Sequence, residues 1–350
     1  GRIPYVSVST HGATSAGLKR ELFIESEMQN GTVLIPRLNM QAHNVGGNAR
    51  VKDKILSGSG LRASLNQAQA RKVSFRYGLE DTEDRPFDLS LQFAGPVHDM
   101  PQILHNTVQN KPFQREIEGL SDLQGQAQGE MQLTRTGQGV DFEIQTHEFN
   151  LQGSNERLPW PVALQGKDMH IKNHGLSIDT ARGDLGSSRI HFSGTDLSWH
   201  QQPELRIQDV RGQLDLDSFW PWLLSLPLDR QDIFDQLTLD GQARVKDTSL
   251  HIPFSRTGET RISLSARVDD IRARHPVLPQ TLTLSSGQIK WGEEDSILRD
   301  LRLSMGDAQI ALNGNISGSL LDWMKPGLNL DFSGHLGPDT GNVSKILDWN

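Results

Sequence analysis

The sequence predicts a mostly β protein: a long twisted antiparallel sheet curled into an open groove, taco-like, with a few short helical insertions. Apolar and polar residues alternate from end to end, turn-forming residues separate the alternating runs, and a unit of strands with a helical pause recurs along the chain. Period-two alternation marks strands that bury one face and wet the other, the habit of antiparallel sheets.

In the first half, Val73, Phe75 and Tyr77 share one face while Ser74 and Arg76 share the other. Leu89, Leu91 and Phe93 follow, then Met131 and Leu133, then Phe142 and Ile144. The second half continues with Ile190 and Phe192, then Ile262, Leu264, Ala266 and Val268. Leu282 and Leu284, Leu301 and Leu303, Ile310 and Leu312, and finally Leu328, Leu330 and Phe332 complete the series. These inward positions are the candidate lining of the groove. Turns are expected at Gly137-Gln138-Gly139, Arg256-Thr257-Gly258 and Gly292-Glu293-Glu294-Asp295, and the acid pair Asp269-Asp270 is also read as a turn.

Two stretches break the period, near residues 98–123 and 215–236, and read as helical insertions. Asp217 or Ser218 would cap the second, Pro221 and Pro227 would split it, and Pro112 would divide the first. The repeat is clearest where Gly186, Ile190, Phe192 and Gly194 match Gly306, Ile310, Leu312 and Gly314, about 120 positions on. Residues 1–350 are therefore expected to form one continuous repeating segment, itself a piece of a longer protein.

Hydrophobic residues make up 35% of the 350 residues and aromatics 6%, with a net charge of −8. That is thin for two full packed layers. The acidic balance and the lack of a Lys/Arg stripe in the linear sequence argue against nucleic acid as a partner. With no cysteine, disulfides and thiol chemistry are excluded. No run of 18 apolar residues offers a transmembrane helix.

No enzyme site emerges. His170, His174, His191 and His200 cluster loosely, but on strand and turn they lack zinc-site spacing, and His147-Glu148 lacks the second His of H-E-x-x-H. Gly12 to Gly17 has neither the central Ser of a nucleophile elbow nor a P-loop Lys. The expectation is no catalytic residue, no metal and no cofactor. Phe219, Trp220, Trp222, Leu223 and Leu224 make a bulky apolar stretch that reads first as a helix packed on the sheet and second as a membrane-facing surface.

The two glycine-bounded units, with the passages Gly95 to Leu133 and Leu214 to Val245 in which a helix precedes a glycine-led strand, resemble the AsmA-like superfamily, with TamB and YhdP among its relatives. That resemblance implies a bridge-type lipid-transfer protein of the Gram-negative periplasm, tethered to the inner membrane by a transmembrane helix outside this segment. It implies phospholipid acyl chains as cargo, carried between inner and outer membrane, with membrane-embedded partner proteins at the ends. An apolar floor suits such cargo, because each buried CH₂ contributes about 0.8 kcal/mol. Two other readings share the alternation. One is a structural or assembly factor for outer-membrane biogenesis. The other is an outer-membrane β-barrel segment, which two Tyr and the helical insertions disfavour.

Overall fold

A run that is apolar at every second position commits its strand to one buried face, and about 75% of the described residues are strand. The computed structural model describes residues 1–10, 22–35, 40–80, 85–108, 111–136, 139–200, 203–225, 235–254, 260–292, 295–317 and 328–335. The strands form an antiparallel sheet that is not closed into a barrel. The contacts divide the chain into two compact units, Gly1–Arg157 with Ala163–Ile178, and Leu158–Val162 with Asp179–Asn350.

The first unit holds β1 (Arg2–Ser9), β2 (Phe23–Ile35), β3 (Met40–Lys52), β4 (Ile55–Leu65), β5 (Ala68–Gly78) and β6 (Phe87–Pro96). Helices α1 (Met100–Thr107) and α2 (Lys111–Glu118) follow, then β7 (Leu120–Thr136), β8 (Gly139–Asn155) and β9 (Val162–Lys172). Strand β10 (Gly175–Leu185) lies partly in each unit. The second unit contains β11 (Ser188–Ser198), β12 (Glu204–Asp215), α3 (Leu216–Ser225), β13 (Thr238–Pro253), β14 (Arg261–Arg274), β15 (Leu282–Trp291), β16 (Asp295–Met305), β17 (Ala308–Ser317) and β18 (Leu328–His335). From β1 to β8, and again from β11 to β18, each strand pairs antiparallel with the next in sequence.

The helical insertions differ from expectation in detail. Pro112 sits second in α2 and does divide the first insertion, but Leu120 to Leu123 already belong to β7. Pro221 does not split the second: it lies inside α3, which starts at Leu216, ahead of both expected caps. Its missing N–H forfeits one bond, to the carbonyl of Asp217 in the first turn, and the burial of Trp220 and Leu223 on either side holds the helix together. Pro227 lies outside the described residues. So do Gly12 to Gly17, Gly137-Gln138, Arg256-Thr257-Gly258, Glu293-Glu294 and the side chains of Leu330 and Phe332.

Asp269-Asp270 is not a turn: both residues lie inside β14. Ile262, Ala266 and Val268 are buried before the pair, and Ile271 and Ala273 after it, so the inward phase slips by one residue there. Asp270 has φ 55°, the left-handed conformation that Asp and Asn adopt more readily than most side chains. This is a β-bulge, an extra residue that bends its strand. The same slip accompanies Asp300 in β16, Asp209 in β12, Asp168 in β9, Lys72 in β5 and Asn44 in β3, all at positive φ.

Glycine supplies the clearance. A Cβ on Gly241 of β13 would stand 2.8 Å from the Asp270 carbonyl oxygen, and one on Gly287 of β15 would stand 2.8 Å from Leu301 Cα, just past the Asp300 bulge. Bulge and glycine together let adjacent backbones close up where the strands bend.

The helices show how far the bend goes. In the second unit, Trp220 Nε1 donates to the Leu237 carbonyl at 2.8 Å, just before β13 begins. Trp220 and Leu223 also share a buried cluster with Ile262, which pairs with Leu250 far along the same strand. Leu237 and Leu250 would lie about 43 Å apart on a straight strand, whereas a ten-residue helix spans only about 15 Å. Strand β13 therefore curls around α3. In the first unit, β6 ends at Pro96 opposite Gln126, yet Phe113 of α2 packs at 4.7 Å on Phe142, which pairs with Leu133. The helical hairpin thus crosses the apolar face from one side to the other.

If the bend depends on this clearance, Gly241→Ala should destabilise the protein by about 1–3 kcal/mol, read as a lowered urea midpoint. Gly119→Ala, with nothing nearer than 3.5 Å to the new Cβ, should stay within about 0.5 kcal/mol of the parent.

Candidate functional site

Cross-strand register decides which side chains meet, and it gathers the predicted lining into rows. In the first unit Phe75 faces Leu89, Leu89 faces Leu133, and Leu133 faces Phe142. Beside them Leu91 faces Met131, which faces Ile144, and Val73 faces Leu61. In the second unit Ile271, Leu284, Leu303 and Ile310 form one row, with Leu301 opposite Leu312 and Leu282 opposite Ala273. Ile190 opens another row that runs through Gly212, Val245, Ala266, Ile289 and Leu298 to Gly314. Leu264 faces Trp291, and Phe192 lies buried next to the Gly194 bend.

Every predicted lining residue whose side chain is described is buried or half-buried. Phe142, Ile144, Ile190, Phe192, Ile262 and Leu301 are buried; Val73, Phe75, Leu89, Leu91, Leu264, Leu282, Leu284, Leu303, Ile310 and Leu312 are half-buried. Among the described residues the buried polar side chains are four hydroxyls, Thr146, Ser188, Thr195 and Ser296, and no buried charge accompanies them. Ser188 Oγ accepts the Asp215 N–H at 2.9 Å. Among the described residues the fully buried part of the face is thus apolar with a few hydroxyl groups, and Arg135, which follows Met131 and Leu133 in phase, is half-buried at its edge.

Helices supply part of the lining that alternation did not reveal. Leu104, Val108 and Phe113 are buried in the first unit, Trp220 and Leu223 in the second. Gln114 Nε2 ties α2 to α1 by donating to the carbonyls of His105 and Val108 at 3.2 and 3.1 Å. Arg157 clamps Glu116 with a two-pronged ion pair, at 2.8 Å through Nη2, and that hydrogen bond raises the guanidinium pKa further. Trp222 is half-buried between Phe219 at 5.1 Å and Trp160 at 5.8 Å. The aromatic stretch therefore packs on the sheet, the first of its two readings.

Helix coverage is uneven. In the second unit α3 meets β12, β13 and β14, through Ile262 and its neighbours. The rows on β15 to β17 pack only with other strand residues and Leu216, so Leu284, Leu303 and Ile310 stay half-buried with no second layer among the described residues.

The outward face is held by polar pairs. Asp209, the bulge residue of β12, accepts from Arg211 Nη2 at 2.7 Å and from Ser193 Oγ on β11 at 2.9 Å, which together hold its carboxyl below the ordinary value. His251, then Arg206, do the same for Glu204. His170 lies in β9 and His174 in the turn after it, while His191 and His200 are exposed. No group of three or more His, Asp or Glu side chains placed to hold a metal occurs among the described residues.

No family model, curated protein or solved structure matches the chain.

A carboxyl whose folded pKa is depressed contributes stability above its unfolded pKa and loses it as pH falls through the folded value. Stability should therefore decline on acidification through and below the carboxylate range. The double variant Asp209→Asn, Glu204→Gln should show a shallower decline when urea midpoints are compared at neutral and acid pH.

Proposed function

We propose that the protein is a lipid-transfer protein of the AsmA-like kind, whose curled sheet holds acyl chains against its apolar face and leaves headgroups at the open side in water. The observation that carries this reading is the half-buried apolar floor on β15 to β17, which has neither an inward charge nor a covering layer among the described residues. Apolar surface left in that state gains about 25 cal/mol per Å² when an apolar ligand covers it. An acyl chain is a suitable cover, since it is flexible, needs no hydrogen-bond partner and adapts to a bent trough. Carriage by sliding asks for no catalytic group. On this reading the protein works in the periplasm, moving glycerophospholipid between inner and outer membrane.

The helices qualify the mechanism. Because α3 covers the floor at β13 and β14, a chain travelling along the second unit either rides over the helix or displaces it. Mass spectrometry of lipids co-purified with the protein tests the cargo; absence of any stoichiometric lipid would refute the reading.

A charge on the uncovered floor should stop carriage without unfolding the protein. Ile310→Arg places a cation where an acyl chain would lie, and its desolvation raises the barrier by several kcal/mol, each 1.4 kcal/mol being about tenfold in rate. Gln309→Arg, on the exposed face next door, should transfer lipid like the parent. Equal impairment of both variants, or loss only in proportion to lost folded protein by circular dichroism, would sink the conduit.

The absence of cysteine permits a clean second test. Leu223→Cys with Ile262→Cys joins two residues of one buried cluster and can pin α3 to the floor. If the helix must lift, the oxidised form loses transfer and reductant restores it; unchanged transfer after full oxidation means that lipid passes over a fixed helix.

A further inference from the structure

The outward face of the second unit carries a feature that the lipid reading does not use. Register places Arg189 opposite Gln213, Gln213 opposite Arg244, Arg244 opposite Arg267, Arg267 opposite Gln288, and Gln288 opposite Arg299. One continuous exposed row across β11 to β16 thus holds four arginines and two glutamines and no acid. Lys246, Ser265 and Lys290 form the row beside it on β13 to β15. Arg189 is paired with Asp184, but Arg244, Lys246, Arg267, Lys290 and Arg299 have no side-chain hydrogen bond or ion pair among the described residues.

This arrangement works against stability. Like charges directly opposite on neighbouring strands repel, and Arg244 faces Arg267 in that way. The first unit solves the same problem differently, with Arg76 opposite Asp88 and Arg50 opposite Glu25. A chain with net charge −8 has acids to spare for neutralising this row, yet they stand outside it. Asp215 and Asp269 border it on one side, and Asp247 lies past Lys246 on the other.

We propose that this strip binds an extended anionic polysaccharide laid across the strands. Six strands at about 4.8 Å make it about 24 Å long, and two rows make it about 7 Å wide. The bordering carboxylates would repel the broad plane of an anionic bilayer but leave room for a narrow chain. The strands β12 to β15 are paired on both sides, so a protein segment cannot add to them as a further strand. The two rows hold no aromatic residue, so a protein partner lacks the anchor that usually dominates such interfaces. Guanidinium groups instead match carboxylate or sulfate in forked pairs, and Gln213 and Gln288 offer amides to sugar hydroxyls. The proposal stands apart from the lipid reading and fails or survives independently of it.

The test is titration of the whole 350-residue chain with a polyuronate and with heparin, beside polyglutamate and phosphatidylglycerol vesicles at equal charge. The polysaccharides should bind saturably and more tightly than the other two. Arg244→Gln with Arg267→Gln should weaken that binding at least tenfold while leaving the melting temperature unchanged or higher, since a repulsion is removed. Arg272→Gln with Arg274→Gln removes two cations that lie outside the two rows and share the Asp240 carboxylate, and should change binding less than twofold. No saturable polysaccharide binding, equal weakening by both pairs of substitutions, or tighter binding of polyglutamate or vesicles would overturn the proposal.

Discussion

The bulge opposite a glycine is the constraint on which the other features rest. A flat sheet with one apolar face must find a second layer, and among the described residues three short helices cannot provide one for eighteen strands. Bending each strand near its middle lets the two halves of the apolar face approach each other and a short helix reach both. Asp270 facing Gly241, and the Asp300 bulge facing Gly287, do this in the second unit through left-handed backbone on one side and a missing Cβ on the other. The bulge also moves the inward phase by one residue, so Val268 and Ile271 fall on the same face although they are three apart. Without that slip, bending β14 would turn Ile271 and Ala273 out into water.

The two faces then obey different rules. Inside, the buried polar side chains among the described residues are hydroxyls, whose desolvation costs far less than that of a charge left without a partner. Outside, charges are free to be placed for other ends, because exposed pairs contribute little to stability. Asp209 illustrates the link between the faces. Its backbone makes the bulge that shapes the floor, while its carboxylate, held by Arg211 and Ser193 on the wet side, fastens β12 to β11 at the bend.

Alternation made the strands legible because a one-residue error would turn every side chain over. The inward placing of Ile190, Phe192, Leu284, Leu301 and Leu303 was readable for that reason, and so was the hairpin repeat. Gly186 and Gly306 both take φ near +57° at two-residue connections, as type II′ turns ask. The bulges were less legible. An apolar–polar–polar–apolar stretch such as Val268 to Ile271 reads equally as the end of a strand, and Asp is among the residues that turns favour. Only the continued pairing of β14 with β13 and β15 on both sides of Asp270 separates the two cases. The face chosen by each helix was also hidden, because Phe113 meets Phe142 through tertiary contact and no local period encodes that meeting. The cation row was invisible for the same reason: its members are scattered along 111 residues, from Arg189 to Arg299, and meet only in register.

The helices and the bare floor are best understood together. On β13 and β14, Trp220 and Leu223 cover the apolar face and share a buried cluster with Ile262. On β15 to β17, the same alternation produces Leu284, Leu303 and Ile310, which among the described residues have no helix laid over them and are buried only halfway. A sequence under pressure for stability alone would extend the helical cover or replace these three residues with polar ones, since uncovered apolar rows invite aggregation. Kept apolar and half-covered, they leave a surface that an apolar ligand of the proposed kind would stabilise by covering it. Within the second unit a stretch of floor covered by a helix thus adjoins a stretch left uncovered among the described residues. On the proposed carrier reading, the covered stretch would keep the protein folded when the uncovered one holds no cargo.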